Sequence, residues 1–102
     1  LYPMSAAAVA VEEAARARLA PGVVLRQDKT RGYWTLQGPE RVLVLDENAL
    51  AVVRAAIEAP GRTLAEAIDA LAAEFDAPRG ELAGDVLELV ADMRDRGFVV
   101  IR

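Results

Sequence analysis

Five carboxylates recur at helical spacing near the end of this chain: Glu81, Asp85, Glu88, Asp92 and Asp95, at i, i+4, i+7, i+11 and i+14. Such a row can attract a cationic or amide-rich partner, or chelate a metal if a loop folds its members onto one point. No chelating loop accompanies it, so no metal is expected. The chain contains no Cys and no His, which removes thiolate nucleophiles, imidazole acid–base catalysis, zinc sites and disulfides together. Ser5 is the only serine, and no Gly-rich phosphate loop or nucleophile–base pair is visible. The chemistry on offer is binding: the chain is not expected to be an enzyme or to hold a cofactor.

The acidic row has a cost. Like charges at i, i+4 destabilise a helix by a few tenths of a kcal/mol per pair, and interior glycines such as Gly80 and Gly84 cost about 1 kcal/mol each against alanine. One reading is a helix shaped for contact. The other is a solvated acidic face, partly offset by Arg79, Arg94 and Arg96. A DNA-reading helix needs Arg, Lys, Asn or Gln aimed at bases and phosphates. This one is net acidic, so nucleic acid is not the expected partner.

The second feature is Val42-Leu43-Val44-Leu45, a β-prone run that is apolar at every position. A strand in a sheet with one wet face should alternate, so both faces of this one are expected to be covered. If it lies at a sheet edge, its unpaired amides and carbonyls invite an incoming chain. Otherwise it is a central strand, or an edge occupied by the chain's own last strand. Tyr33-Trp34 beside the polar loop Asp28–Gly32 forms either a small exposed patch or part of the core.

The elements that must position these residues follow from texture and punctuation. Pro21-Gly22 marks a turn. Val23–Arg26 and Tyr33–Leu36 read as a hairpin with the five-residue polar loop Asp28–Gly32 between them, and Gly38-Pro39 breaks the second strand before residues 42–45. Asp46 is placed to cap a helix carrying Leu50, Val53 and Ile57, which Pro60-Gly61 stops. Thr63-Leu64-Ala65-Glu66 is a capping box opening a second helix, with Leu64, Ile68, Leu71 and Phe75 on one face. A third helix of about residues 79–96 carries a core stripe of Leu82, Val86, Leu89 and Met93 and stops at Gly97. Phe98–Ile101 closes the chain as a strand. The expected fold is α+β, a winged helix-turn-helix: a three-stranded antiparallel sheet, three helices and a short C-terminal strand.

With 102 residues there is room for one domain. Hydrophobic residues at 54% against 27% charged allow both a core and solubility, and the net charge of −4 disfavours phosphate backbones. No stretch of 18 or more residues lacks charge, Ala6–Val11 being far too short, so no membrane span is expected. The missing signal-peptide pattern and missing Cys make the cytoplasm the default location. Residues 1–20 are Ala-rich without a full apolar stripe. They are expected to form a linker or loosely ordered segment before a domain at 21–102.

Set in order along the chain, Pro21-Gly22, Asp28, Arg31-Gly32, Trp34, Leu36, Pro39-Glu40-Arg41, the apolar strand with Asp46, Gly61-Arg62-Thr63 and Asp85-Val86 resemble the PqqD family, peptide-binding accessory proteins of pyrroloquinoline quinone biosynthesis. The match runs from about Arg18 to Arg102. It departs at Pro60-Gly61, where the family often has Asp-Gly. The resemblance implies a peptide chaperone, or recognition element for ribosomally made and modified peptides, in which a precursor's leader adds as a strand to the third strand and lies against the third helix. Carried onto this chain, the implied peptide-binding residues are Arg41, Val42, Leu43, Val44, Leu45 and Asp46, with Asp85, Glu88, Leu89 and Asp92. The implied partners are the precursor PqqA and the radical S-adenosylmethionine enzyme PqqE. Some family members are fused behind PqqC, and the non-Met start with its Ala-rich stretch looks like such a linker. Two other readings stay open: a winged-helix DNA-binding domain, and a structural module using the same strand edge to form a homodimer.

Overall fold

The computed structural model describes residues 10–58 and 61–102. Ala6 to Val9, Ser5, and Ala59-Pro60 at the end of the first helix lie outside the described residues. The order is β1 (Ala17–Leu19), β2 (Val24–Asp28), β3 (Tyr33–Gln37), β4 (Val42–Leu45), α1 (Glu47–Val52), a π-helical turn (Val53–Ile57), α2 (Leu64–Phe75), α3 (Arg79–Asp95) and β5 (Val99–Ile101). The winged-helix expectation holds: an antiparallel sheet β2-β3-β4 precedes three helices and a closing strand.

Local chemistry explains the turns. The Asp28 carboxylate accepts from the amides of Thr30 and Arg31, an Asx-type turn. Gly32 takes φ +84° to bring the chain into β3. The connection is four residues, Lys29–Gly32, because β2 extends to Asp28. Asp46 ends β4 and caps α1, its carboxylate accepting from the Ala49 amide at 2.7 Å.

The N-terminus of α2 shows how tightly the fold is tied. A helix leaves its first amides without intrahelical partners. Here four are satisfied. Thr63 donates to Glu66 Oε1 at 2.8 Å and Glu66 donates to Thr63 Oγ1 at 3.2 Å. Leu64 and Ala65 donate to the carbonyls of Ala15 and Glu13, each at 2.9 Å. Thr63→Ala is expected to cost about 1 kcal/mol in chemical denaturation. The backbone and side-chain hydrogen bonds from Thr63 hold the Glu66 carboxyl below its ordinary value of 4.5, and the hydrogen bond from Arg79 does the same for Glu13. A depressed folded value means that stability is present above the unfolded value and lost as pH falls through the folded one. Stability is therefore expected to decline as pH drops below about 4.5, with Glu66→Gln flattening that decline in urea titrations run across the acid range.

Two stripes differ from the periodicity. On α3 the buried residues are Ala83, Val86, Val90 and Met93, while Leu82 and Leu89 are half-exposed. α3 packs against α2 and β5, and the stripe it buries lies one position beyond the two leucines. On α2, Leu64, Ile68 and Leu71 are buried as expected, but Phe75 at the helix end is 53% exposed.

One strand was not foreseen. Ala17–Leu19 pairs antiparallel with β5, Ala17 opposite Ile101. Arg16 and Arg102 exchange backbone hydrogen bonds of 2.9 and 2.7 Å, and Val11 and Ala17 are buried in the core. The described part of the Ala-rich stretch thus contributes a strand and two core side chains. Its own composition contains no β signal; the partner strand supplies it.

Candidate functional site

The last strand pairs with β1, so among the described residues nothing occupies the outer edge of β4. This overturns the reading in which the chain's own C-terminal strand fills that edge. It also overturns the expectation that β4 is covered on both faces. Val42 and Val44 are 63% and 56% exposed, whereas Leu45 is buried and Leu43 half-buried. The inner leucines meet the core. The outer valines, with Val24 on β2, leave an apolar face bare.

Register decides which backbone groups face outward. The Gly38 amide donates to the Arg41 carbonyl at 2.9 Å, making 38 and 41 a hydrogen-bonded pair at the turn. Such pairs alternate along an antiparallel ladder, so Leu36 and Leu43 exchange bonds while Gln37–Val42 and Thr35–Val44 do not. The N–H and C=O of Val42 and of Val44 therefore point away from β3, into the open.

Arg41 and Asp46 bracket the edge, each already engaged. The Arg41 guanidinium donates to the Arg96 carbonyl at the end of α3, hitching the start of β4 to that helix. Gly97 makes room for it. A Cβ there would sit 3.4 Å from Arg41 Nη1, and its φ of +88° suits glycine alone. At the other end, Asp46 passes the chain into α1, whose Asn48 and Ala51 line a pocket together with Asp85 and Leu89 of α3. β4 leads directly into α1, and α1 and α3 share the walls of that pocket.

Along the α3 wall, Asp85, Glu88, Leu89 and Asp92 line an open hollow of about 430 Å³. Asp92 pairs with Arg96 at 3.0 Å. Asp85 and Glu88 form no ion pair among the described residues. Exposed carboxylates of this kind can accept from backbone amides or attract cations. No group of three or more described His, Cys, Asp or Glu converges as a metal cluster.

Of the ten expected residues, Val42 and Val44 offer both edge backbone and bare side chains. Asp85, Glu88, Leu89 and Asp92 share the helix face. Leu43 and Leu45 hold the strand to the core, and Arg41 and Asp46 hold its ends. Sequence reasoning missed Asn48, Ala51, Phe75 and Leu82, which line the adjoining pocket. Phe75 and Leu82 carry the same apolar signal as core residues, so no pattern separates them. Trp34 is half-buried beneath the Arg54 guanidinium, 4.7 Å from its ring centroid, a cation–π contact. It belongs partly to the core and partly to a hollow shared with Leu45 and Leu50.

The fold is shared with known proteins. The family model for coenzyme PQQ synthesis protein D (PqqD) matches residues 22–99. The PqqA binding protein of Rhodopseudomonas palustris (strain HaA2) is 35% identical over 96 residues, 94% of this chain and 92% of that protein. The PqqA binding protein of Xanthomonas oryzae pv. oryzae (strain KACC10331 / KXO85) is 44% identical over 78 residues, 76% of this chain and 83% of that protein. The solution NMR structure of the PqqD truncation of Methylobacterium extorquens PqqCD, a stand-alone recognition element for ribosomally synthesised and modified peptides, superposes with a TM-score of 0.68 at 32% identity, covering 82% of this chain and 87% of that one. The crystal structure of PqqD from Xanthomonas campestris gives 0.51 at 40% identity, covering 76% and 84%.

Proposed function

Because this chain belongs to the PqqD family, we propose that it is a non-catalytic chaperone of pyrroloquinoline quinone biosynthesis that takes the precursor peptide PqqA as an added strand on β4. The observation that carries this reading is the outer edge at Val42 and Val44, which has no partner among the described residues. Those two residues present two N–H and two C=O groups to a neighbouring strand. At roughly 1 kcal/mol net per hydrogen bond, such a ladder supplies affinity that tolerates many sequences. The bare valine side chains add apolar area beside the added strand. Selectivity falls to the α3 wall, where Asp85, Glu88 and Asp92 favour a peptide offering amides or cations.

A peptide held this way stays extended, with its far edge free, which suits delivery to a modifying enzyme; the radical S-adenosylmethionine enzyme PqqE is the recipient we propose. The name PqqCD of the Methylobacterium relative supports a place for PqqC on the N-terminal side of such a domain. None of the described helices is long and apolar enough to cross a membrane. The acidic α3 face opposes duplex phosphates. A homodimer formed through the same edge would be displaced by peptide.

Titrating isotopically labelled protein with PqqA tests the reading. The amides of Val42–Leu45 and of Asp85–Asp92 are expected to shift together and saturate at one affinity. Shifts confined to residues outside these two segments would defeat it.

A further inference from the structure

The turns before β2 and β4 carry residues that strand addition leaves without a part. Pro21 and Pro39–Arg41, far apart in the sequence, line one hollow of about 240 Å³ with Arg96 and Gly97 at the end of α3. A helix leaves its last carbonyls without intrahelical partners and carries partial negative charge there. Basic residues of the last turn commonly cover them. On α3 both candidates are turned to carboxylates instead, Arg94 to Asp95 and Arg96 to Asp92, each at 3.0 Å. The Arg96 carbonyl takes its partner from 55 residues earlier, the Arg41 guanidinium. Gly97, at φ +88°, keeps the turn free of a side chain that would crowd that group. Among the described residues no other hydrogen bond joins residues 41–45 to α3.

We propose that Arg41 is a positioning residue: its guanidinium clamps the last turn of α3 to the start of β4, and so holds the strand edge and the acidic helix face at the spacing one peptide needs to meet both. The role rests on strand addition, and it differs from the part the family resemblance implies, in which Arg41 meets the peptide. The Arg41 carbonyl accepts from the Gly38 amide at 2.9 Å, so neither that carbonyl nor the engaged Nη1 is turned to an incoming strand. At the far end of β4 the chain itself controls the spacing, since Asp46 leads straight into α1, which shares a pocket wall with α3. At the near end the clamp is the hydrogen-bonded tie. Without it the last turn of α3 is free to drift from the strand, and a peptide then satisfies one wall at the expense of the other.

Arg41→Ala, Arg41→Lys and Gly97→Asn test the clamp, with circular dichroism to verify the fold. Asparagine tolerates a left-handed φ while placing a Cβ against the guanidinium. Affinity for PqqA, measured by calorimetry, is expected to fall roughly 3- to 30-fold in Arg41→Ala and Gly97→Asn, the range of a cation at a helix C-terminus. The loss should be smaller in Arg41→Lys, whose ammonium can still donate to a carbonyl. Arg41→Ala and Gly97→Asn combined should lose little more than either alone, as two breaks in one contact do. The pattern of amide shifts at saturation is the readout that a merely stabilising residue would not move: in Arg41→Ala the Val42–Leu45 amides still shift, while the shifts of Asp85–Asp92 shrink. Should Arg41→Ala not fold, the same pattern is read from Arg41→Lys and Gly97→Asn. Weaker binding with both sets of shifts at wild-type size means that Arg41 meets the peptide itself, and overturns the clamp. Wild-type affinity in the folded variants, or additive losses in the combined one, also overturns it and leaves strand addition standing. Absent edge shifts in the wild type overturn strand addition and the clamp with it.

Discussion

Val44→Pro is expected to weaken PqqA binding roughly 10- to 100-fold while leaving the domain folded. The two halves of that result come from one geometric fact. The Val44 N–H points outward, so proline deletes a donor that the β3–β4 ladder never uses, and an edge strand tolerates proline at such a position. The incoming peptide loses a hydrogen bond, leaves a carbonyl without its partner, and meets the ring where the amide was. Leu43→Pro is the matched contrast. Its N–H faces Leu36, and its loss should melt the β3–β4 hairpin. Calorimetry paired with thermal melts separates the cases. Unchanged PqqA affinity in a folded Val44→Pro protein would mean that the peptide docks elsewhere.

Removing residues 1–20 is expected to lower stability by about 4 kcal/mol, and the midpoint of thermal unfolding by about 15–30 °C. The truncation strips Val11 and Ala17 from the core and deletes β1, leaving β5 unpaired. It also removes the carbonyls of Glu13 and Ala15 that satisfy the α2 amides. Glu13 itself would be lost to Arg79, which it meets at 2.6 Å. That surface ion pair adds little by itself; the buried side chains and backbone pairing dominate. A chain beginning at Ala10 keeps every one of these contacts and is the reference for scanning calorimetry. Equal midpoints for the two chains would refute the role given to β1.

The two outcomes bear on one design. β1 binds β5, and because β5 is engaged there it is not available to β4.

Much of the fold was legible because its signals are local. Asp46 and the Thr63–Glu66 box are capping chemistry carried by a few adjacent atoms, and Gly97 ends α3 through its own φ. The acidic row on α3 follows from helical periodicity alone. The family resemblance, resting on turn and strand residues in order, pointed to β4 and α3. What stayed hidden depended on partners far along the chain. Whether Leu82 and Leu89 or Ala83 and Val90 face the core is a choice between neighbouring stripes of similar period, and only contact with α2 and β5 makes it. Whether β5 fills the outer edge of β4 depends on a pairing made more than fifty residues later.

By itself, then, the sequence determined what this chain cannot do and what kinds of elements it forms. Without Cys or His it offers no thiol, imidazole or zinc chemistry, and its caps, glycines and apolar periods order three strands, three helices and a closing strand. Tertiary structure alone decided that no other described strand takes the edge of β4, that Val42 and Val44 aim their amides outward, and that Phe75 stands beside a pocket. The physical reason is that hydrogen-bond pairing and burial are properties of two segments at once. A residue carries its own propensity, but the partner that satisfies or exposes it is chosen only when the chain closes on itself.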